Sequence, residues 1–212
     1  MVAARETRQS LIAEQFVSAR PGYEDVYLGD VFKLSNEKLG KHEIEPEVFS
    51  ISKHDGIVLS SDYFDHRIAS KDLDGYKILE PADWAYSTIH IDEGSIARNN
   101  TALSGVVSPM YTTMKWSTSD CDPGFFEVLL RSDVALNLYG NSAQGSVKRR
   151  KSLSFQRFAG LKFSVPKLSA QIELLEKVSM LDRSIEALAL QLKTIHSLEL
   201  SIMSEVFDVD AI

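Results

Sequence analysis

The stretch SAQIELLEKVSMLDRSIEALALQLKTIHSLELSIMSE, residues 169–205, decides the architecture of this chain. Apolar residues recur every three and four positions along it, and neither proline nor glycine interrupts it. From Leu174 to Val206, nine of the ten a and d positions of the heptad are apolar, which is typical of a coiled coil. At 1.5 Å per residue the helix is about 55 Å long. We therefore predict a coiled-coil helix for pairing, with a long core helix as the alternative.

The charged residue in this apolar face predicts how two such helices pair. A parallel pair places Glu199 of one chain against Glu199 of the other, which is a costly buried like-charge contact. An antiparallel pair sets Glu199 against Leu181 and Val178 against Ile202, so we predict antiparallel pairing. Apolar residues outside the seam (Leu175, Leu198, Leu200 and Met203) indicate a further helical partner. The predicted dimerisation residues are Leu174, Val178, Leu181, Ile185, Leu188, Leu192, Ile195 and Ile202.

Charge is distributed unevenly along the chain. The formal net charge is −7, but residues 1–133 carry −9, residues 134–172 carry +7 and residues 173–212 carry −5. Residues 134–172 contain no Asp or Glu. Attraction to phosphate depends on the local field at the contact surface, so this tract predicts nucleic-acid binding, with a merely solvated surface as the alternative. The predicted phosphate contacts are Lys148, Arg149, Arg150 and Lys151.

The region before the long helix has the pattern of a mixed domain. Short β-branched and aromatic runs between turn residues predict many short strands, which gives the α+β class. We divide the chain into an N-terminal helix at 1–22, a globular domain at 23–165 and the coiled-coil helix at 166–212. The predicted strands are 48–51, 56–59, 76–79, 84–89, 106–114 and 161–165, and the predicted helices before the coiled coil are 5–19 and 125–138.

Several kinds of chemistry have no support in the sequence. It contains no phosphate-cradling glycine motif, and its five histidines lack the spacing of metal ligands. Cys121 is the single cysteine, so an internal disulfide is excluded and a reducing cytoplasm is expected. There is no apolar run long enough to span a bilayer. We therefore predict a cytoplasmic protein with no catalytic residue, no metal, no cofactor and no membrane contact.

Three stretches together resemble the specificity (S) subunit of type I restriction–modification systems. The first is VYLGDVFKLSNEKLG at 26–40, and the third is RRKSLSFQRFAGLKFSVPKLSAQIELLEKVSMLDRSI at 149–185. The third is similar to the family's passage into its spacer helix, although Ala170 stands where the family usually has Glu before Gln171. The second stretch, 56–115, resembles the family's target recognition domain in the spacing of Tyr63-Phe64, Ile68-Ala69-Ser70, Asp72, Tyr76, Tyr86, Gly94, Gly105 and Ser108-Pro109-x-Tyr111.

The resemblance implies a non-catalytic subunit that recognises double-stranded DNA. It identifies residues 23–165 as a target recognition domain and implies that the C-terminal helix docks a methyltransferase subunit, in a complex that also holds a restriction subunit. S-adenosylmethionine is expected on the methyltransferase partner. Family members usually contain two recognition domains and two antiparallel spacer helices, whereas this chain has one of each. It therefore resembles a half-subunit that forms a homodimer.

Candidate base contacts lie in loops, since loops carry most specificity. A homodimer predicts two inverted half-sites, and a separation of about 50 Å corresponds to roughly 15 base pairs. Asn99 and Asn100 could instead only shape a turn, and Lys53 and His54 could simply be solvated. Tyr63, Trp84 and Tyr86 are predicted to be core residues. The base-contact candidates are Lys53, His54, Asn99, Asn100, Lys115, Ser117 and Thr118.

Two other functions stay open, a protein–protein adaptor without DNA specificity and an independent nuclease or methyltransferase.

Overall fold

The computed structural model describes residues 12, 21–35, 37–41, 46–53, 55–63, 72–144 and 152–207. Over this part of the chain it has the predicted α+β class, with short strands in three sheets and one long C-terminal helix. The strands are β1 (Tyr23–Tyr27), β2 (Phe32–Ser35), β3 (Glu47–Ser52), β4 (Gly56–Leu59), β5 (Lys77–Leu79), β6 (Trp84–Ser87), β7 (Ile96–Arg98), β8 (Gly105–Val107), β9 (Tyr111–Trp116) and β10 (Lys162–Pro166). The helices are α1 (Leu28–Val31), α2 (Ser60–Tyr63), α3 (Pro123–Leu130), α4 (Asp133–Ser142), α5 (Phe155–Ala159) and α6 (Leu168–Phe207), with a 3-10 turn at Ile91–Glu93.

Two four-stranded sheets make up most of the globular part. One has the strand order β2–β9–β6–β7 and is antiparallel throughout, and the other has the order β4–β3–β8–β5 with a parallel β3–β8 pair. The strands β1 and β10 form a separate antiparallel pair in which Tyr23 lies opposite Pro166. This pair joins the start and the end of the globular part, and α6 begins two residues later at Leu168. The long helix therefore starts directly after the strand pair that joins the two ends of the globular part.

Aromatic side chains fill the largest core cluster. The Phe32 ring contacts the Trp84 ring edge-on with the centroids 5.1 Å apart. Tyr86 stacks on Phe158 at 4.9 Å, and its hydroxyl donates to the carbonyl oxygen of Leu153 at 3.2 Å. Both Trp84 and Tyr86 are fully buried, which confirms their prediction as core residues. The Tyr63 side chain lies outside the described residues.

Two predicted elements are each divided in the structure. The run 106–114 is two strands, because β8 ends at Val107 and a turn closed by the Tyr111 amide on the Ser108 carbonyl starts β9. The predicted helix 125–138 is α3 and α4, since the Ser132 hydroxyl accepts from the Ala135 amide and caps a new helix. The first break contains Pro109, whereas the second contains neither proline nor glycine.

The long helix has nearly the predicted extent. The prediction was 169–205, and α6 runs from Leu168 to Phe207. The N-terminal helix predicted at 5–19 lies outside the described residues except for Ile12, which is helical and buried in the largest core cluster. Among the helices in the described ranges, none is both long and apolar enough to cross a bilayer.

Candidate functional site

The predicted phosphate contacts Lys148, Arg149, Arg150 and Lys151 lie outside the described residues. The residues on either side of this segment are anchored to the domain. Backbone hydrogen bonds join Gln144 and Ser152 in both directions, at 3.1 and 2.9 Å. The next amide, that of Leu153, donates to the Thr88 carbonyl at 2.9 Å. Gln144 and Ser152 therefore lie side by side, and Leu153 is held next to the end of β6.

In the folded chain, other groups offset part of the positive charge of the tract 134–172. Lys162 lies on β10, opposite the acidic strand β1, and its Nζ is 2.8 Å from Asp25 Oδ2. The hydrogen bond from Lys162 to Asp25 and the attraction of that carboxylate raise the pKa of Lys162. Arg157 donates to the Ser142 carbonyl at 3.2 Å. An acid supplied by a neighbouring strand thus neutralises part of a tract that contains no acid of its own.

Asn99 has its side chain inside a loop. Its Nδ2 donates to the carbonyl oxygens of Glu80 at 3.1 Å and Leu103 at 3.0 Å, and its Oδ1 accepts from Thr101 Oγ1 at 2.7 Å. Only 1% of the residue is exposed. In this structure Asn99 shapes the loop, which is the alternative that the sequence left open, and it does not present its amide to a ligand.

Asn100 lies in a polar strip that the fold assembles from distant segments. Its Nδ2 donates to Glu127 Oε1 on α3 at 2.7 Å. Burial raises the pKa of Glu127, while the Asn100 hydrogen bond and the charges of Arg98 and Arg131 oppose that rise. We define the polar strip as Lys53, Arg98, Asn100, Glu127 and Arg131.

Lys53 joins the strip through its backbone. The Arg131 guanidinium donates to the Lys53 carbonyl oxygen, while the Lys53 side chain is exposed. His54, the neighbouring candidate, lies outside the described residues. The strip thus combines three cations, one amide and one carboxylate, an array that can both attract phosphate and hydrogen-bond a base edge.

The other predicted loop, at 115–118, divides into two environments. Lys115 is exposed on β9 directly opposite Lys33 of β2. Lys33 Nζ donates to the Gly29 carbonyl at 3.2 Å, and the Asp83 carboxylate lies near enough to Lys115 to interact with its charge. The Ser117 hydroxyl donates to the Val31 carbonyl at 3.0 Å, and the Thr118 carbonyl accepts from Trp116 Nε1 at 2.6 Å. These two residues therefore hold the loop.

The surroundings of Thr118 also disfavour contact with DNA. Thr118 lines a cleft of about 270 Å³ at the base of α6. The acidic lining residues of this cleft are Glu24, Asp25, Asp30 and Asp120. Lys167 also lines the cleft and Asp25 is paired with Lys162, but the carboxylates still outnumber the cations, so this side of the loop is a poor surface for a phosphate backbone.

A buried amide fixes the root of α6. Gln171 is 1% exposed. Its Oε1 accepts from the Asp122 amide at 2.8 Å, and its Nε2 donates to the Pro166 carbonyl at 2.8 Å. Because Asp122 caps α3 by accepting from the Phe125 amide, the three elements β10, α3 and α6 meet at one hydrogen-bonded junction. The direction of α6 is set there.

The first two predicted dimerisation residues are part of this root. Leu174 is 8% exposed and Val178 is 2% exposed, and both belong to the largest core cluster of the chain itself. Their assignment to an intermolecular seam is therefore wrong in this structure. They are apolar at a and d positions because they pack on their own domain, and an apolar period does not identify the partner. The open seam begins at Leu181, which is partly exposed.

The remainder of α6 projects its apolar residues into solvent. Along the predicted seam, Leu188 is 45% exposed and Ile202 is 59% exposed, with Leu192 and Ile195 between them. A single helix with this much exposed apolar surface is typical of an interaction site. We define the free arm as residues 181–204. Other exposed apolar residues of the arm lie outside the seam: Leu190, Leu198, Leu200 and Met203.

The described residues offer little for catalysis. Cys121 is buried, and burial is the main cause that raises the pKa of its thiol, so the thiolate nucleophile is disfavoured. Within the described ranges, no cluster of three or more histidine, cysteine or acidic side chains is arranged to hold a metal ion.

Solved structures provide a likeness of fold. The HsdS subunit from Thermoanaerobacter tengcongensis matches with a TM-score of 0.63 and 14% identity, over 98% of this chain and 51% of that one. A chain from a structure described for complex assembly and conformational transition of the type I R-M system also matches at 0.63 and 14%, over 96% and 50%. The S subunit from M. genitalium matches at 0.54 and 13%, over 97% and 54%. This chain thus spans about half the length of each.

Comparisons at the level of sequence give no match. No protein-family model matches the chain, and no curated protein does. The likeness is therefore one of fold, carried by the strand arrangement and the long helix together.

Sequence reasoning missed two groups of residues in this site. Arg98 and Arg131 were not identified, because their relation to Asn100 depends on how β7 packs near α3. Gln171 was noted only as part of a motif. Its position at the start of an apolar repeat, where an apolar residue is expected, was the available signal for a buried polar contact.

Proposed function

We propose that this chain is the non-catalytic DNA-specificity subunit of a type I restriction–modification system, with one target recognition domain and one spacer helix. The observation that carries the proposal is the match to HsdS chains over nearly all of this chain but only half of theirs. A second copy would supply the missing half. The resulting dimer would bind a DNA site made of two inverted half-sites, because two-fold symmetry in a protein is mirrored in its operator.

The free arm is the proposed surface for the second copy. Its seam residues are exposed in the single chain, and Glu199 lies among them with His196 as a weak neighbour at 3.8 Å. Antiparallel pairing keeps the two Glu199 carboxylates apart, whereas parallel pairing would bury them together. The charge pattern of the arm supports an antiparallel homodimer.

DNA contact is proposed at three places on the recognition domain. Lys148, Arg149, Arg150 and Lys151 would hold phosphates, on the segment that Gln144 and Ser152 anchor. The polar strip would face the bases, with Lys53, His54 and Asn100 as the candidates retained from the sequence. Lys115 is proposed as a phosphate contact together with Lys33, since the two exposed cations lie opposite each other on neighbouring strands. Asn99, Ser117 and Thr118 are left out of the DNA contacts because their polar groups hold loops.

The other subunits would use the rest of α6. A methyltransferase subunit, which would carry S-adenosylmethionine, is proposed to dock on the apolar residues of the arm outside the seam, and a restriction subunit would join that complex. Two helices cannot cover an arm that is apolar on more than one side. The assembly would act on double-stranded DNA in the cytoplasm.

Selection from random duplexes tests the proposal directly. The purified full chain, alone and with the methyltransferase subunit of the same system, is incubated with a random duplex pool at several salt concentrations. We expect enrichment of a motif with two inverted half-sites. Failure to enrich any motif under either condition would remove DNA specificity as the function.

A matched pair of charge variants tests the phosphate contacts. Arg149→Gln is expected to weaken binding to all duplexes and to reduce the slope of log affinity against log salt by about 0.9. The control is Lys162→Gln, which removes the same charge at a position already paired with Asp25. Equal effects of the two variants would contradict a phosphate role for Arg149.

The exposed apolar arm also supports a second function. A protein–protein adaptor would use the same helix to nucleate an assembly without any specificity for DNA. Assembly of the full complex without DNA affinity would favour the adaptor, whereas an enriched motif would favour the specificity subunit.

A further inference from the structure

The root of α6 limits where a second copy can pair. The apolar face that contains Leu181 and Ile185 continues toward the domain through Leu174 and Val178. Those two side chains are 8% and 2% exposed in the single chain, so the chain's own core already covers them. A second helix on this face therefore finds no surface before Leu181.

The antiparallel register predicted from the sequence conflicts with this burial. It places Ile202 of the second copy opposite Val178, and Leu188 opposite Leu192. The end of the second helix would then occupy the space filled by α3 and its neighbours, which contact the root of α6. Two chains can therefore pair in this register only if the core around Leu174 and Val178 opens.

We propose that the two arms pair one heptad further from the domains, in an inference that rests on the homodimer of the proposed function. In this shifted register Ile185 faces Ile202, and Leu192 faces Ile195. Leu181 faces the heptad position 206. Glu199 faces Leu188, so the two carboxylates still stay apart. In an antiparallel pair, a positions face d positions, and several registers satisfy this rule. Of these registers, the shifted one has the longest seam that still leaves Leu174 and Val178 in the core.

Burial at the root favours the shifted register over the unshifted one. The unshifted register brings Lys177 near Glu205 of the second copy, but an exposed ion pair stabilises little. Lys177 also already has a partner, with its Nζ 2.7 Å from Glu173 Oε1. Taking a large apolar side chain out of the core costs far more than losing such an ion pair. The core at the root is therefore retained.

The shift changes the separation of the two recognition domains. At 1.5 Å per residue, the two Val178 residues lie about 47 Å apart along the helix axis in the shifted register and about 36 Å apart in the unshifted one. The difference of about 10.5 Å corresponds to roughly 3 base pairs. The burial of two side chains at the root thus sets the spacing of the half-sites.

Spin-label distances in the full-length dimer measure the register. Arg183→Cys and Ser197→Cys are labelled separately in a Cys121→Ser background, since both positions are exposed and lie on the face opposite the seam. The unshifted register gives both labels an equal axial offset of about 21 Å. The shifted register gives about 32 Å at residue 183 and about 10 Å at residue 197. We expect the distance to be clearly longer at residue 183 than at residue 197.

Cysteine pairs provide a second measurement. In the same background, Leu192→Cys with Ile195→Cys is expected to cross-link the two chains under mild oxidation. Leu188→Cys with Leu192→Cys is the control, because these positions face each other only in the unshifted register. Cross-linking by the control pair and not by the first pair would overturn the shifted register.

These measurements test the pairing register and the homodimer separately. Equal distances at residues 183 and 197 with a stable dimer would overturn the register and leave the homodimer intact. Distances that show no axial offset at either position would indicate parallel pairing, which also overturns it. Absence of any dimer would remove the homodimer itself, and the register with it.

Discussion

The two ends of α6 have the same apolar period but opposite environments. At the root, Leu174 and Val178 are covered by the domain of their own chain. Along the free arm, Leu188 and Leu192 are exposed to solvent at the same two heptad positions, d and a. The period identifies the apolar face of a helix, but what covers that face depends on where the helix leaves its domain. The root therefore contributes to folding, and the arm is available for association.

Leu192→Asp should have the largest effect, because it places two charges in the centre of the proposed seam. We expect the dimer dissociation constant to rise more than 100-fold, since an unpaired buried charge costs several kcal/mol. Unfolding of the domain, followed by the fluorescence of the core residues Trp84 and Trp116, should not change. A normal dimer would contradict the role of the arm.

Leu174→Ala should show the reverse behaviour. It removes buried methyl groups at the root, so the free energy of unfolding should fall by about 3 kcal/mol. Leu188→Ala is the control at an equivalent heptad position on the arm, and in dilute monomer it should change that free energy by less than about 0.5 kcal/mol. Urea unfolding with tryptophan fluorescence measures both. Similar losses in the two variants would remove the distinction between root and arm.

Gln171→Ala tests the junction that directs α6. The substitution leaves the Asp122 amide and the Pro166 carbonyl without their partner, and we expect a loss of about 2 kcal/mol in the free energy of unfolding. Gln191→Ala on the exposed arm is the matched control and should be near neutral. Hydrogen exchange at the Asp122 amide should also accelerate in the first variant alone. Equal stability of the two variants would show that the junction is not stabilising.

The smallest effect is expected from Glu127→Gln in the polar strip. Burial raises the pKa of Glu127 in the folded domain, so the unfolded chain releases this proton first as the pH rises. The wild type should therefore lose stability relative to the variant between the ordinary glutamate pKa, about 4.3, and the raised folded value. Urea unfolding from pH 4 to pH 7 measures the difference. A difference between the two proteins that is constant over this range would contradict the raised pKa.

The sequence predicted the class of fold and the extent of α6 because both depend on strong local patterns. Short β-branched runs between turns predicted the ends of β3 and β4 to within one residue. The break between α3 and α4 was missed because a serine cap, with no glycine or proline, ends one helix and starts the next. A single serine in the sequence is a weak signal that one helix ends and another begins.

The candidate site was less accessible from the sequence, because its residues come together only in three dimensions. Asn99 and Asn100 are neighbours with the same side chain, yet one is buried in its loop and the other reaches Glu127 on α3. Lys162 lies in an acid-free tract but pairs with Asp25 from the other end of the domain. Cross-strand neighbours of this kind depend on sheet register, which the pattern of one strand does not specify.

Sedimentation equilibrium of the full chain and of Leu192→Asp, without DNA, tests the central claim most directly. We predict that the wild type has twice the 23.7 kDa mass of one chain at micromolar concentration, and that the variant has the mass of one chain with an unchanged fold. A wild type that stays at the mass of one chain at every concentration would contradict the claim that the arm is where two copies meet. A variant that keeps the double mass would contradict it equally.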